Sequence, residues 1–210
     1  MSKERLSIGI QGGPGSFNEE ALHDYTQKHT LKNYDVRYMH TTEDVLNALH
    51  TDNPTKKIDQ GIFALHNAAG GIVDESVEAM GKYNFESIDK IRIKISHTLM
   101  VGKGVDFNPQ KITLVTHPQV LAQCENNLER KYPDLPKTSG DGPMIDHALV
   151  AEYMAQEKPV TAGGIVFDAR TIATMGSRRL AEIHDLTVID KDLQDLGDQN
   201  YTSFLVVQKA

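Results

Sequence analysis

One cysteine, Cys124, and no tryptophan occur in the 210 residues of this chain. A lone cysteine excludes a disulfide framework and a thiolate metal cluster within the chain. No two histidines stand at a ligand spacing such as H-x-x-x-H, and no carboxylate cluster accompanies them, so no metal is expected. No apolar run approaches the length of a bilayer span, and the opening MSKERLSIGIQGG lacks the apolar centre of a secretory signal. The expectation is a cytoplasmic chain with no membrane partner. Positive charge is also short: 22 Lys and Arg against 29 Asp and Glu leave a net charge of −7. That balance argues against nucleic acid as a partner, although a local pocket can be basic enough for a small acid. The glycines at 12, 13 and 15 match neither G-x-x-x-x-G-K-[ST] nor G-x-G-x-x-G, so the first loop is not a nucleotide-phosphate loop. There is no G-x-S-x-G, and nothing marks Cys124 as a nucleophile; a core position on a helix face suits it better.

What is there alternates. RLSIGIQ (5–11), DVRYM (35–39), QGIFAL (60–65), IRIKIS (91–96), KITLVT (111–116) and VTAGGIVF (160–167) read as strands. In IRIKIS, Ile91, Ile93 and Ile95 face one way and Arg92 and Lys94 the other. Helices are expected after the first glycine loop, at 41–51, at 72–80, from His117 to about 130, at 146–156, and over DARTIATMG ending at Gly176. Strand–helix alternation means an α/β protein with largely parallel sheets. NYTSFLVV (200–207) closes the chain as a strand: Phe204 to Val207 have the composition of a buried strand, and a polar tip precedes them.

Each polar signal carries two readings. Ser16 with Glu19, and Thr116 with Gln119, have capping-box spacing, so both hydroxyls are candidate helix caps. A helix N-terminus with open N–H groups is also a seat for a carboxylate. His66 and Asn67 stand where a strand ends, the usual place for sites in open α/β sheets, although a histidine there can equally be a surface residue. His97 and His117 also flank strand ends.

The order of these pieces is more specific than any one of them. IQGGPGSFNEEAL, HNAAGGIV, IRIKISHTLM, THPQVLAQCENNL and NYTSFLVV resemble, in sequence and spacing, the prephenate dehydratase family over about Leu6 to Val207. The resemblance implies two α/β lobes with a cleft between them, like type II periplasmic ligand-binding proteins. It assigns 1–90 plus 186–210 to the first lobe and 91–185 to the second, with no C-terminal regulatory domain. It further implies a homo-oligomer, dimer or tetramer, and no cofactor.

The family reaction removes the ring hydroxyl and one carboxylate of prephenate to give phenylpyruvate, water and carbon dioxide, a step of phenylalanine biosynthesis. By resemblance the assisting hydroxyl of the family's N-x-T-R-F motif is Thr202. Gly15, Ser16, His66, Asn67, Thr116, Gln123, Ser203 and Phe204 fall on substrate-binding positions. Departures accompany the match. Ser203 stands where the motif has arginine, His66 where the family has glutamate, and a D-T-A pattern falls on Gly142-Pro143-Met144. His66, Arg170 and Lys94 are the candidates to restore a positive charge. Alternatives in keeping with these departures are arogenate dehydratase, a prephenate decarboxylase that keeps the hydroxyl, and a non-catalytic binding protein for a small acid.

Overall fold

The computed structural model describes residues 5–210. The chain is mixed α/β and groups into two compact units. The first holds residues up to Gly13, Phe17–Lys94 and Tyr201–Ala210; the second holds Pro14–Ser16 and Ile95–Asn200. Residues 186–200, expected with the first lobe, therefore belong to the second, because their strand pairs there.

In the first unit, β1 (Leu6–Gln11), β2 (Tyr34–Met39) and β3 (Gln60–Asn67) run parallel, with the short β4 (Gly71–Ile72) against β3. β5 (Phe85–Lys94) forms one edge of the sheet. The chain's last strand, which becomes β13 (Tyr201–Lys209), lies between β3 and β5 and is antiparallel to both. Three helices cover this sheet: α1 (Phe17–Lys28), α2 (Thr42–His50) and α3 (Asp74–Met80). Helix α2 starts where it does because Thr41 and Asp44 form a reciprocal capping box. Its Val45, Leu46 and Leu49 pack with Ile58, Phe63 and Val207 into a dry core.

The second unit has β6 (Thr98–Val101), β7 (Thr113–Thr116), β8 (Lys137–Ser139), β11 (Ile172–Gly176) and β12 (Thr187–Asp190) in the order β12-β6-β11-β7-β8. Its helices are α4 (Pro118–Gln123), α5 (Glu125–Lys131), α6 (His147–Ala155) and α7 (Arg178–His184). A hairpin of β9 (Val160–Ala162) and β10 (Ile165–Phe167) stands apart from the sheet. Only β6 runs against its neighbours β11 and β12.

Four sequence expectations change here. DARTIATMG is a 3-10 turn followed by strand β11. Ile172 packs with the cluster around α6 and α7, whereas Ala173 and Met175 pack with the cluster around α4 and α5. With both faces buried the strand loses the polar alternation that marks a half-exposed one, and a short apolar run is ambiguous between strand and helix. VTAGGIVF is two strands, because Gly163 and Gly164 both take positive φ and turn the chain back. The expected helix from His117 to 130 breaks at Cys124 into α4 and α5. Residues 142–145 form a 3-10 turn, and an Asp-x-Ala pattern instead begins α6 as Asp146-His147-Ala148, with Asp146 capping the Ala148 N–H. Cys124 is a buried core residue as expected, and burial pushes its thiol pKa up.

One reversed strand in each sheet, β13 in the first (the short β4 aside) and β6 in the second, positions everything that follows. In each unit the parallel strands end at one end of the sheet, and the reversed strand begins there. Thr202 thus pairs with Asn67, the last residue of β3, and Thr98 pairs with Gly176, the last residue of β11. Ligands of open α/β sheets bind at such carboxyl ends.

Phe204, two residues into β13 from Thr202, is 1% exposed and lies between Ala64 and Ile91. Replacing it by alanine is expected to cost about 3–5 kcal/mol of stability, measured by urea unfolding, with a smaller loss for Phe204→Leu.

Candidate functional site

The candidate residues divide between the two units. Thr202, Asn67, His66, Ser203 and Phe204 belong to the first; Gly15, Ser16, Thr116 and Gln123 belong to the second.

At the sheet end of the first unit, the Asn67 Nδ2 donates to Thr202 Oγ1 at 2.8 Å, and both residues are buried. The amide cannot be turned round. Its Oδ1 accepts from the backbone N–H groups of Ala69 and Gly70 at 2.8 and 2.9 Å. The HNAAGG run is what makes this possible: it turns the backbone over the asparagine directly after the strand. Because Thr202 Oγ1 accepts this hydrogen bond from Asn67, its own O–H is left to donate elsewhere.

Alternation puts His66 and Ser203 on the opposite face from this pair, where they are cross-strand neighbours. His66 is exposed, and Phe204 serves the core. Of the other candidate cations, Arg170 precedes β11 at the end remote from Gly176 and pairs with Glu157 at 3.5 Å. It does not reach the carboxyl end of its own sheet. Lys94 ends β5, opposite Tyr201.

The corresponding end of the second unit is built from neutral donors. Thr116, the last residue of β7, does not cap a helix: its hydroxyl donates to the Met175 carbonyl at 2.7 Å and ties β7 to β11. The cap is His117, whose Nδ1 accepts the Gln119 N–H at 3.1 Å. That bond leaves the proton of the neutral ring on Nε2. His97 Nε2 donates to Gln123 Oε1 at 3.0 Å, and Asn200 Nδ2 donates to the same oxygen at 2.8 Å. With its oxygen doubly used, Gln123 keeps its amide N–H groups for an outside acceptor. Gln119, expected on the same face, is exposed, whereas Gln123 is buried.

Gly15 takes φ +82, and its carbonyl accepts from Ser177 Oγ at 2.6 Å. A side chain there would collide with Leu180, so glycine is required both by conformation and by room. Ser16 is buried. At Gly176 an added Cβ would lie 2.5 Å from the His147 ring, so that glycine makes the seat for the imidazole. Neither ring nitrogen of His147, nor the Thr174 hydroxyl, has a hydrogen-bond partner among the described residues, although all three atoms are shielded from solvent.

Sequence reasoning passed over Asn200, His147 and Ser177. Asn200 stood in the quoted final motif and could have been found there. His147 lay inside an apparent helix and carried no signal. No group of three or more His, Cys, Asp or Glu among the described residues is arranged to hold a metal ion.

The family model described as prephenate dehydratase matches residues 8–210. The chain belongs to the prephenate dehydratase family. Arogenate dehydratase 2 of Petunia hybrida is 29% identical over 152 residues, which is 72% of this chain and 34% of that protein. The prephenate dehydratase of Methanocaldococcus jannaschii is 24% identical over 193 residues, 88% of this chain and 61% of the relative. The structure of prephenate dehydratase from Arthrobacter aurescens in complex with L-Phe superposes with a TM-score of 0.77 at 19% identity, covering 98% of this chain and 61% of that one. The chain spans about a third of the length of the arogenate dehydratase 2 it matches.

Burial holds the His97 pKa down to about 4, with a charge on His147 pushing the same way and the Gln123 bond opposing. Burial, again with His147, does the same for His117. Below pH 6.5 the unfolded chain takes up protons that folded His97 refuses until about pH 4. Stability must therefore fall as pH drops through that window. His97 alone is expected to remove about 2 kcal/mol between pH 7 and 5, and His117 acts in the same direction. Asp89 does not blur this range. Burial would raise its pKa, but bonds from Lys28 and His29 outweigh it and hold it at about 2, so its contribution is lost only below about 3.8. Urea unfolding of wild type and His97→Asn at both pH values checks this: the variant's stability should change less.

Proposed function

We propose that this chain is a dehydratase that acts on prephenate, or on its amino analogue arogenate, in phenylalanine biosynthesis. The observation that carries the reading is the locked Asn67–Thr202 pair at the carboxyl end of β3. An alcohol is a poor acid in water. One whose lone pair is occupied by a fixed amide, in a buried setting, has its proton aimed and needs no reorganisation to meet a developing hydroxide.

In the reaction the bond between the ring and its carboxylate breaks and releases carbon dioxide. The freed electron pair moves through the ring and expels the ring hydroxyl. That oxygen leaves as water by taking up one proton, and the ring becomes aromatic. Prephenate dianion plus a proton thus gives phenylpyruvate anion, carbon dioxide and water. Thr202 supplies the hydrogen bond or proton at the departing oxygen, and Asn67 positions Thr202. In the second unit, the Gln123 amide and the His117 Nε2–H are neutral donors of the kind a carboxylate accepts from. The rate depends on differential stabilisation of the leaving oxygen, which uncharged but oriented donors provide.

Incubation of the purified chain with prephenate and with arogenate, with identification of the products, tests the reading. Aromatic product is expected. A non-aromatic decarboxylated acid would assign the chain to decarboxylation, and binding without turnover would assign it to small-acid binding. Thr202→Ala is expected to lower kcat by about 10²-fold or more while KM changes little, since removing an acid–base partner costs 10²–10⁴. Thr202→Ser should retain a measurable part of the rate. Unchanged kcat in Thr202→Ala would remove the role assigned to that hydroxyl.

A further inference from the structure

Arg92 lies exposed on β5, the edge strand of the first unit's sheet. Register sets it directly across from Ser203 of β13, while Tyr201 opposes Lys94, two residues nearer the end of the sheet. Tyr201, Ser203, Arg92 and Lys94 all share one face. The Arg92 guanidinium lies over the Tyr201 ring, 4.2 Å from its centre. The side chain therefore leans from the row of Ser203 to the row of Tyr201, toward the end at which Asn67 and Thr202 meet. Stacking uses the flat face of the guanidinium and leaves its in-plane N–H fork open.

No carboxylate pairs with Arg92 among the described residues. Lys90 and Lys94 flank it on the same face of β5, and His66 lies on the far side of Ser203. Asp89 points the other way and is taken up by Lys28 and His29 of the α1 region. On a chain of net charge −7, this strand face is locally cationic and carries an aimed, unpaired fork.

We propose that Arg92 is a substrate-positioning residue that holds a carboxylate of the small cyclic acid at the end of the first unit's sheet, supplying from β5 the guanidinium that β13 lacks at Ser203. The proposal rests on the dehydratase reading for its substrate, but its anion-binding content can be measured separately. Direct cross-strand neighbours have Cβ atoms about 5 Å apart, so a long side chain launched from either strand reaches the same place. An arginine that only guards an edge strand against unwanted pairing would also be exposed, but its loss would not alter ligand affinity.

The test uses Arg92→Ser, Arg92→Lys and the exchanged pair Arg92→Ser with Ser203→Arg. Kinetics on prephenate are combined with calorimetric titration of phenylpyruvate, the product anion. Arg92→Ser is expected to raise KM and weaken phenylpyruvate binding about 10- to 100-fold, with kcat within a few-fold of wild type. Arg92→Lys should recover part of the loss, because it returns the charge without the fork. The exchanged pair should recover most of it. Unchanged KM and unchanged phenylpyruvate affinity in Arg92→Ser overturn the proposal, as does a folded exchanged pair that stays at the Arg92→Ser level. If wild type leaves prephenate untouched yet loses phenylpyruvate affinity on Arg92→Ser, the positioning role stands and the dehydratase reading falls.

Discussion

The side-chain amide of Asn67 can face only one way. Two backbone N–H groups of the turn that follows it claim its oxygen, so its nitrogen must point at Thr202. Turned round, the amide would set its own N–H groups against those two backbone donors, which is why its orientation is fixed. The same constraint fixes the hydrogen bonding of the hydroxyl: it accepts from Asn67 and is left to donate. Beneath the pair, β13 lies between β3 and β5 with Phe204, Val206 and Val207 buried, so the strand start is held by a core and not by a loop.

The two sheet ends differ in the polar groups they present. The second unit offers neutral groups: an imidazole with its proton on Nε2, and an amide whose oxygen is already used. Burial keeps His97 and His117 uncharged near neutral pH, so each is a directional donor of low desolvation cost. A buried cation would cost several kcal/mol without a permanent partner. In the first unit Lys90, Arg92 and Lys94 stand exposed on one face of β5, while Asn67 and Thr202 are buried on the other face of the sheet.

Most of the α/β order was legible in the sequence because half-exposed strands alternate and helices announce their caps. IRIKIS and the α2 segment read correctly for that reason. Strand β11 did not, because a strand buried on both faces shows composition and no period. The Thr116 spacing fitted a capping box, yet the hydroxyl was claimed by the Met175 carbonyl across the sheet, a tertiary bond with no trace in local spacing. In the candidate site, Asn67 and Thr202 were named from a resemblance, and their pairing follows from register that no motif prints. His147 was invisible, since the reason for its position is Gly176, 29 residues away along the chain.

Arg92 shows the limit of reading a motif along one strand. A motif is written in sequence order, but a ligand meets a two-dimensional lattice in which the nearest side chains on one face belong to different strands. Ser203 has Arg92 on one side and His66 on the other, at separations set by strand spacing alone. A position vacated on β13 can therefore be filled from β5 without moving the backbone, provided the new side chain is long enough and something aims it. The Tyr201 ring does the aiming here. Loss of a motif residue by itself is then weak grounds for loss of its function, and its lattice neighbours decide whether the charge has gone or has only changed strands.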